Sequence, residues 1–485
     1  MLRLSARLWL RLRGVHLMPM MMLLLLLLLL LNFLQIDTIN IVGNNNFSDL
    51  ISQHQHESFS DFRKNIQSRD IPEKVLIGYA SRNYSNVMQA VEEDGVNIVI
   101  WAFGDISFAS TPADIYDHDI YSGGTLLSSS HRALDHYGWN STSADHNQHH
   151  HGELPVHDTR TQQEQRRRRQ TQQHFPGEDI KSTGGLDLGQ IQDLIRTLDA
   201  DGYSHVIHLL SFGGWNGPHL HPASSSAKFA ARMWYSSWEQ STASKIFHGI
   251  DWDFEGNDDR SSPDNVFTVE CLDTVGEISR LMKENGFVVT MAPPQSYLNF
   301  NTSDFSRYVN LTVPGRRWHA DFAYFGTNVY AYLLAKYGDY VDLVSVQLYE
   351  SYSDAAMSIY HDEVHAEEYL YSLVLNIAIM NQSFYVDFSQ DHELKDTFPS
   401  RFVKMELSKF VIGVANGWAM NDDIPLEQRK TLFVSADDCF RAYNRLKHSE
   451  YGDITPRGFM VFTLDERGSR EVYLEKEIGR FLHRE

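Results

Sequence analysis

Cysteine is all but missing from this chain: 485 residues hold two, Cys271 and Cys439. Two thiols exclude a disulfide-stapled scaffold and a small Cys-dense binding module. Stability must rest instead on an apolar core, and a chain of this length can bury a large one. Positive charge is also scarce, with 42 Lys and Arg against 63 Asp and Glu and a formal net charge of −21. That balance excludes general affinity for a nucleic-acid backbone. The run Met20 to Leu31 carries no polar residue, yet it is too short for a comfortable transmembrane helix.

What precedes that run is basic: Arg3, Arg7, Arg11 and Arg13. A basic segment ahead of a short apolar core predicts a secretory signal over residues 1–34. No Ala-x-Ala-like site follows, so two readings stand, a cleaved signal peptide or an uncleaved anchor that holds the chain at a membrane. Residues 35–71 read as a linker. Six Asn-x-Ser/Thr sequons begin at Asn46, Asn83, Asn140, Asn301, Asn310 and Asn381. With the signal they predict N-glycosylation and a secreted or secretory-lumen protein.

From Val75 onward, apolar strand-like runs recur at Val75–Tyr79, Asn97–Phe103, His205–Phe212, Phe247–Glu255, Phe287–Ala292, Leu343–Tyr349, Phe410–Ala415 and Gly458–Thr463. Helical spacing separates them. Leu272, Val275, Ile278 and Met282 follow the fourth run after the start signal Ser262-Pro263, and Leu370, Leu373, Val374 and Ile377 follow the sixth. Ser435-x-x-Asp438 opens a further helix with a capping-box-like pattern. Eight alternating strands and helices predict one α/β domain over residues 72–485, a parallel (β/α)8 TIM barrel. Cys271 and Cys439 then fall on helices that are not neighbours in the ring, too far apart to bridge.

Two segments exceed a minimal barrel. Residues 107–183, between the second and third strands, are rich in His, Ser, Gln and Arg and read as a disordered surface insertion. Its His149-His150-His151 is a metal tract or a solvated loop. Its Arg166 to Arg169 is a nucleic-acid patch, a processing site or again a solvated loop. Residues 316–341 form a second, aromatic insertion holding Tyr324, Phe325, Tyr330, Tyr332, Tyr337 and Tyr340. It follows the fifth strand, beside the expected cleft, and its tyrosines either stack on a bound ligand or pack the loop.

The fourth run carries the chemistry. In Gly249-Ile250-Asp251-Trp252-Asp253-Phe254-Glu255, strand alternation puts Asp251, Asp253 and Glu255 on one face and Ile250, Trp252 and Phe254 on the other. Three buried carboxylates at i, i+2 and i+4 repel one another, so one is held protonated near neutral pH. That is what protonating a glycosidic oxygen requires. A Ca²⁺ loop is the competing reading, but it needs Gly at its sixth position and Glu at its twelfth. In a (β/α)8 barrel these acids stand at the C-terminal end of strand four, the catalytic face.

The run resembles the Asp-Gly-x-Asp-x-Asp-x-Glu signature of glycoside hydrolase family 18, the chitinase family. Ser211-Phe212-Gly213-Gly214-Trp215 resembles its Ser-x-Gly-Gly. Met291-Ala292-Pro293-Pro294-Gln295 is similar to the fifth-strand end of plant class III-type chitinases. Val344 to Tyr349 resembles its Gln-x-Tyr, and Gly458 to Phe462 its closing Gly-x-Met-x-Trp. Two positions depart: the first Asp is His248, and the closing Trp is Phe462. His248 lies three residues before Asp251, so parity turns it away from the acids and makes it structural. Phe462 keeps an aromatic face but lacks the indole N–H.

The resemblance implies hydrolysis of β-1,4-linked N-acetylglucosamine polymers with retention, the substrate's own acetamido oxygen acting as nucleophile. It implies Glu255 as general acid and base, Asp253 as the carboxylate that orients the acetamido N–H, Asp251 as its proton-sharing partner, and Tyr349 as a hydroxyl on the acetamido group beside Gln347. Tyr79, Phe103, Met291 and Phe462 would line the sugar subsite with Trp215, and Gly213 and Gly214 would permit a tight turn. No metal and no organic cofactor is required. The expected partner is an N-acetylglucosamine-containing glycan, bound by a monomer. Two alternatives stay open: an endo-β-N-acetylglucosaminidase acting on N-glycans, and a catalytically silent lectin.

Overall fold

The computed structural model describes residues 70–106, 180–182, 186–222, 226–259, 261–309, 327–350, 352–421, 424, 425, 429 and 431–483. The signal, most of the linker, the His and Arg tracts, Tyr324, Phe325, and the sequons at Asn46, Asn140 and Asn310 lie outside these residues.

Eight parallel strands close on themselves. In chain order the strands are β1 (Val75–Ala80), β2 (Ile98–Ile106), β3 (Ile180–Ser182), β4 (Ile207–Gly214), β5 (Gly249–Phe254), β6 (Val288–Met291), β7 (Leu343–Gln347), β8 (Ser383–Val386), β9 (Arg401–Lys404), β10 (Phe410–Ala415) and β11 (Gly458–Phe462). Lateral order runs β1-β11-β10-β7-β6-β5-β4-β2, and β1 pairs again with β2 to complete the ring. The helices are α1 (Tyr84–Glu92), α2 (Leu188–Ala200), α3 (Ala227–Gln240), α4 (Val269–Glu284), α5 (Val329–Tyr337), α6 (Ala366–Ile379), α7 (Ala436–Lys447) and α8 (Leu474–Leu482). One follows each barrel strand, so the architecture is the expected (β/α)8 barrel.

The strands are apolar on both faces because both are covered. Ile77, Ile98, Ile100, Leu209, Val411 and Met460 fill the inside of the barrel. Their sequence neighbours Leu76, Val99, Leu210, Ile412 and Phe459 face the helices. Leu272, Val275, Ile278 and Met282 on α4, and Leu370, Leu373, Val374 and Ile377 on α6, are buried as their spacing predicts. Helix starts are fixed by short polar side chains. Asn83, Asp187, Ser226, Thr268 and Ser435 accept from the backbone N–H three residues on, which satisfies donors the helix leaves free. Ser262-Pro263 opens only the short 3₁₀ turn Pro263–Asn265, and Thr268 is the cap that begins α4.

Two sequence expectations are corrected. The end of the 107–183 segment is not irregular: Ile180–Ser182 pair antiparallel with Gly104–Ile106, extending β2 past the ring. The 316–341 segment is not all loop, because Val329–Tyr337 form α5. Tyr330, Tyr332 and Tyr337 are buried there, so they pack. Cys271 and Cys439 are both buried and unbridged, and burial pushes the Cys271 thiol up to about 12.

Below the ring's outer edge, α8 brings an acid against another acid. Glu475 and Asp94 are fully buried side chains that share one guanidinium, Arg467, at 3.1 and 2.8 Å. Asp94 Oδ1 and Glu475 Oε1 lack hydrogen-bond partners. One cation cannot serve two buried anions, and burial, with Asp94 nearby, raises the Glu475 carboxyl to about 7. A folded-state value above the unfolded one favours the protonated fold. The resulting stabilisation is complete below about pH 4.5 and is lost as pH rises toward 7. Replacing Glu475 by Gln should therefore flatten the stability profile between those pH values, a difference on the order of 3 kcal/mol. Urea unfolding of both proteins at pH 4.5, 6 and 7.5 reads it, and parallel profiles would refute the assignment.

Candidate active site

Parity places the acids. Gly249, Asp251 and Asp253 of β5 face into the barrel, while Ile250, Trp252 and Phe254 pack under the helices. Asp251 is fully buried and accepts from three strands: Tyr79 Oη of β1 at 2.5 Å, Ser211 Oγ of β4 at 2.7 Å and Thr290 Oγ1 of β6 at 2.5 Å. Burial raises its carboxyl and these donors oppose the rise. Asp253 accepts from Gln347 Nε2 of β7 at 2.7 Å, and the same nitrogen donates to Ala292 O. Burial first, then the charges of Glu255, Asp251 and Glu350, hold the Asp253 carboxyl well above its ordinary range.

Glu255 stands just past the strand end. It is 5% exposed, and its Oε2 has no hydrogen-bond partner. Burial and the Glu350 carboxylate raise its carboxyl far above the usual value. The charged neighbours that shift Asp253 and Glu255 are all acids, so each carboxyl holds its proton to higher pH than an ordinary one. Glu255, with an oxygen unspent inside the protein, is the member placed to give one away.

Glycines make this packing possible. Gly213 has φ +116°, and a side chain there would strike the Asp253 carbonyl at 2.4 Å. Gly214 has φ +80°, and its missing Cβ is replaced by the Phe103 ring. Both positions favour glycine by conformation as well as by space. The expected subsite glycines thus seat Asp253 and Phe103.

The rings divide. Phe103 and Phe462 are half-buried at the barrel mouth, against the interior cluster that includes Tyr79 and Tyr349. Tyr349 stacks on Phe462 with centroids 5.7 Å apart and planes at 20°, and Tyr79 approaches Phe462 to 5.6 Å. Met291 does not join them. It is fully buried in the layer between barrel and helices, because Thr290 and Ala292 take the inward positions on β6. Trp215 is also buried: its indole donates to Asp258 Oδ1 at 3.2 Å and lies 6.3 Å from Tyr352. It braces the loop after β4. His248 points away from the acids, its Nδ1 accepting from the His208 backbone N–H at 2.8 Å.

Three site residues escaped the sequence reading. Glu350, 3% exposed, is a fourth carboxylate; its signal was its place immediately after Tyr349 at a strand end. His219 is buried in the loop after β4 and its Nε2–H donates to Glu255 O at 2.7 Å, so it fixes the main chain of the acid. Burial lowers its imidazole to about 4, keeping it neutral. Trp418 follows β10 and stands beside Phe462, with centroids 6.1 Å apart; a position just past a barrel strand was its only signal. Among the sequons, Asn301 and Asn381 are exposed and Asn83 is half-buried at the α1 cap. Among the described residues, no three His, Cys, Asp or Glu side chains converge as a metal site would require.

No family model matches the chain, and no curated protein does. Solved structures with a similar course of chain include a family 18 chitinase from Flavobacterium johnsoniae (12% identity, 84% of this chain, 94% of that one, TM-score 0.39). They also include a class V chitinase from Pseudomonas fluorescens (9%, 84%, 99%, 0.42) and a family 18 N-acetylglucosaminidase from Paenibacillus barengoltzii (11%, 84%, 99%, 0.38). Overlaps this slight leave the chemistry to be read from the site's own residues.

Proposed function

We propose that the protein is a secreted glycoside hydrolase that cleaves β-1,4-linked N-acetylglucosamine polymers with retention. The observation that carries this reading is Glu255: a buried carboxyl beside an anionic neighbour, both of which raise it, with one oxygen unspent, at the C-terminal end of a barrel strand. Five motifs in the family's order support it. In this mechanism Glu255 protonates the leaving oxygen while the substrate's acetamido carbonyl closes on the anomeric carbon. Asp253 accepts from the acetamido N–H and balances the positive ring that forms. Glu255, now the base, takes a proton from the water that reopens it. Tyr349 and Gln347 hold the acetamido group and Asp253. The signal-like N-terminus and the sequons support passage through the secretory route, with Asn301 and Asn381 the exposed acceptors among the described residues.

Chitotetraose and chitopentaose incubated with the purified chain, beside an N-glycoprotein substrate, test the reading. Cleaved oligosaccharides support it, release of N-glycans alone would move the substrate to the glycan core, and binding without turnover would make the protein a lectin. Glu350 gives a sharper mark. Its anion raises the Glu255 carboxyl, so Glu350→Gln should lower the pH at which Glu255 loses its proton. The alkaline limb of the kcat/KM profile should move to lower pH. An unmoved limb would remove Glu350 from that role.

A further inference from the structure

The mouth of the barrel holds an aromatic corner. Trp418 meets Phe462 at 76° and Tyr349 at 80°, with centroids 6.1 and 6.3 Å away, while Phe462 and Tyr349 lie nearly parallel to each other. One wall is therefore the Phe462–Tyr349 stack, and the other is the indole, set close to a right angle. Both Trp418 and Phe462 are half-buried and pack on the barrel's interior cluster, so each keeps part of its surface exposed. The corner is continuous with the acids through Tyr79, which touches Phe462 and hydrogen-bonds Asp251.

The indole is fixed. Its Nε1–H donates to the Phe462 carbonyl at 2.7 Å, and the Asn416 N–H donates to the same oxygen at 2.9 Å. Asn416 is itself held: its Oδ1 accepts from the Gly417 N–H and its Nδ2 donates to Glu475 Oε2. Gly417 leaves no room for a side chain, since a Cβ would meet Ser469 O at 2.1 Å. The loop after β10 thus presents the ring in one orientation, with its donor spent on the protein and only apolar surface left for a ligand.

A bare pyranose offers one apolar face and a rim of hydroxyls. Set into this corner it would press hydroxyls on the indole, which cannot hydrogen-bond them. A pyranose carrying an acylamino group has a methyl to lay there, and burying it is favourable. We infer that Trp418 is a specificity-determining residue, the wall that makes the cleft prefer an N-acylated sugar over an unsubstituted one. This rests on the hydrolase reading above and names the residue that selects its substrate.

The test is calorimetric binding of chitotetraose and cellotetraose to the full chain carrying Glu255→Gln, alone and combined with Trp418→Phe or Trp418→Ala. Hydrolysis by the wild type is assayed in parallel. Trp418→Ala should weaken chitotetraose binding roughly tenfold and leave cellotetraose nearly unchanged, with Trp418→Phe between the two. The tryptophan emission change on chitotetraose binding should vanish in Trp418→Phe, a readout a packing role would not supply. Equal losses for both sugars, or an unchanged chitotetraose affinity, would overturn the inference while wild-type cleavage leaves the hydrolase reading standing. Selective loss without wild-type cleavage would sink the hydrolase and keep the wall. No binding of chitotetraose by the Glu255→Gln protein together with no cleavage by the wild type would sink both.

Discussion

Replacing Glu255 by Gln is expected to lower the turnover of chitotetraose by about 10²–10⁴-fold or more while leaving its binding in place. The substitution keeps the shape of the side chain and replaces the ionisable carboxyl by an amide that cannot give up a proton. Oε2 has no hydrogen-bond partner inside the protein, so the change breaks no hydrogen bond of that oxygen. The fold should be untouched, because the main chain at Glu255 is held independently by His219 and Asn216 donates to the next carbonyl, Gly256 O. Turnover and binding measured on one preparation separate a lost proton donor from a lost site. Residual activity within a few-fold of the wild type would remove Glu255 from the chemistry and shift the donor to Asp253, whose carboxyl is raised by burial and by its acidic neighbours, Asp251 and Glu350 among them.

The largest effect on stability is expected far from the acids. Arg307 and Asp391, 1% and 6% exposed, form a two-pronged pair, Nε to Oδ2 at 2.8 Å and Nη2 to Oδ1 at 3.1 Å. Asp391 Oδ1 also caps the backbone N–H groups of Glu393 and Leu394, and Arg307 Nη1 donates to Phe267 O. The guanidinium holds the Asp391 carboxyl below its usual range. Asp391→Ala would leave a buried cation facing only the half-exposed Glu393, a loss of about 3–5 kcal/mol. The double replacement Arg307→Met with Asp391→Leu should cost less than either single change, because it removes the stranded charge along with its partner. Guanidinium unfolding midpoints of the three variants decide this. Additive losses would mean the pair stabilises through packing rather than charge.

The barrel was legible because its strands carry the period themselves. Asp251 and Asp253 alternate with Ile250, Trp252 and Phe254, and the same alternation sorts Ile77 from Leu76 and Leu209 from Leu210. Where motif and parity disagreed, parity was right. Met291 belongs to a motif that suggested a cleft wall, yet its neighbours Thr290 and Ala292 occupy the inward register on β6. Residues 329–337 read as loop because tyrosines obscured the helical spacing, although Ala331, Leu333 and Leu334 are as buried as their neighbours. Glu350, His219 and Trp418 lie in the turns just beyond strand ends. No periodicity operates there, and a side chain's direction is set by backbone that one chain's spacing does not specify. Their significance depends on partners at a distance in sequence: Glu255 for His219, and Phe462 for Trp418.

Asp251 is embraced by donors from β1, β4 and β6, and its bond from Tyr79 spans 172 residues of chain. A growing chain that has passed β7 already owns all three strand acids and their near donors. It does not yet own the roof of Phe462 and Trp418, nor the pairing of β11 with β1 that shuts the ring. Until then water reaches the carboxylates, their ordinary acidity returns, and no proton is stored at neutral pH. The moment at which activity appears during refolding is thus a clock for ring closure, distinguishable from the earlier moment at which helical signal appears.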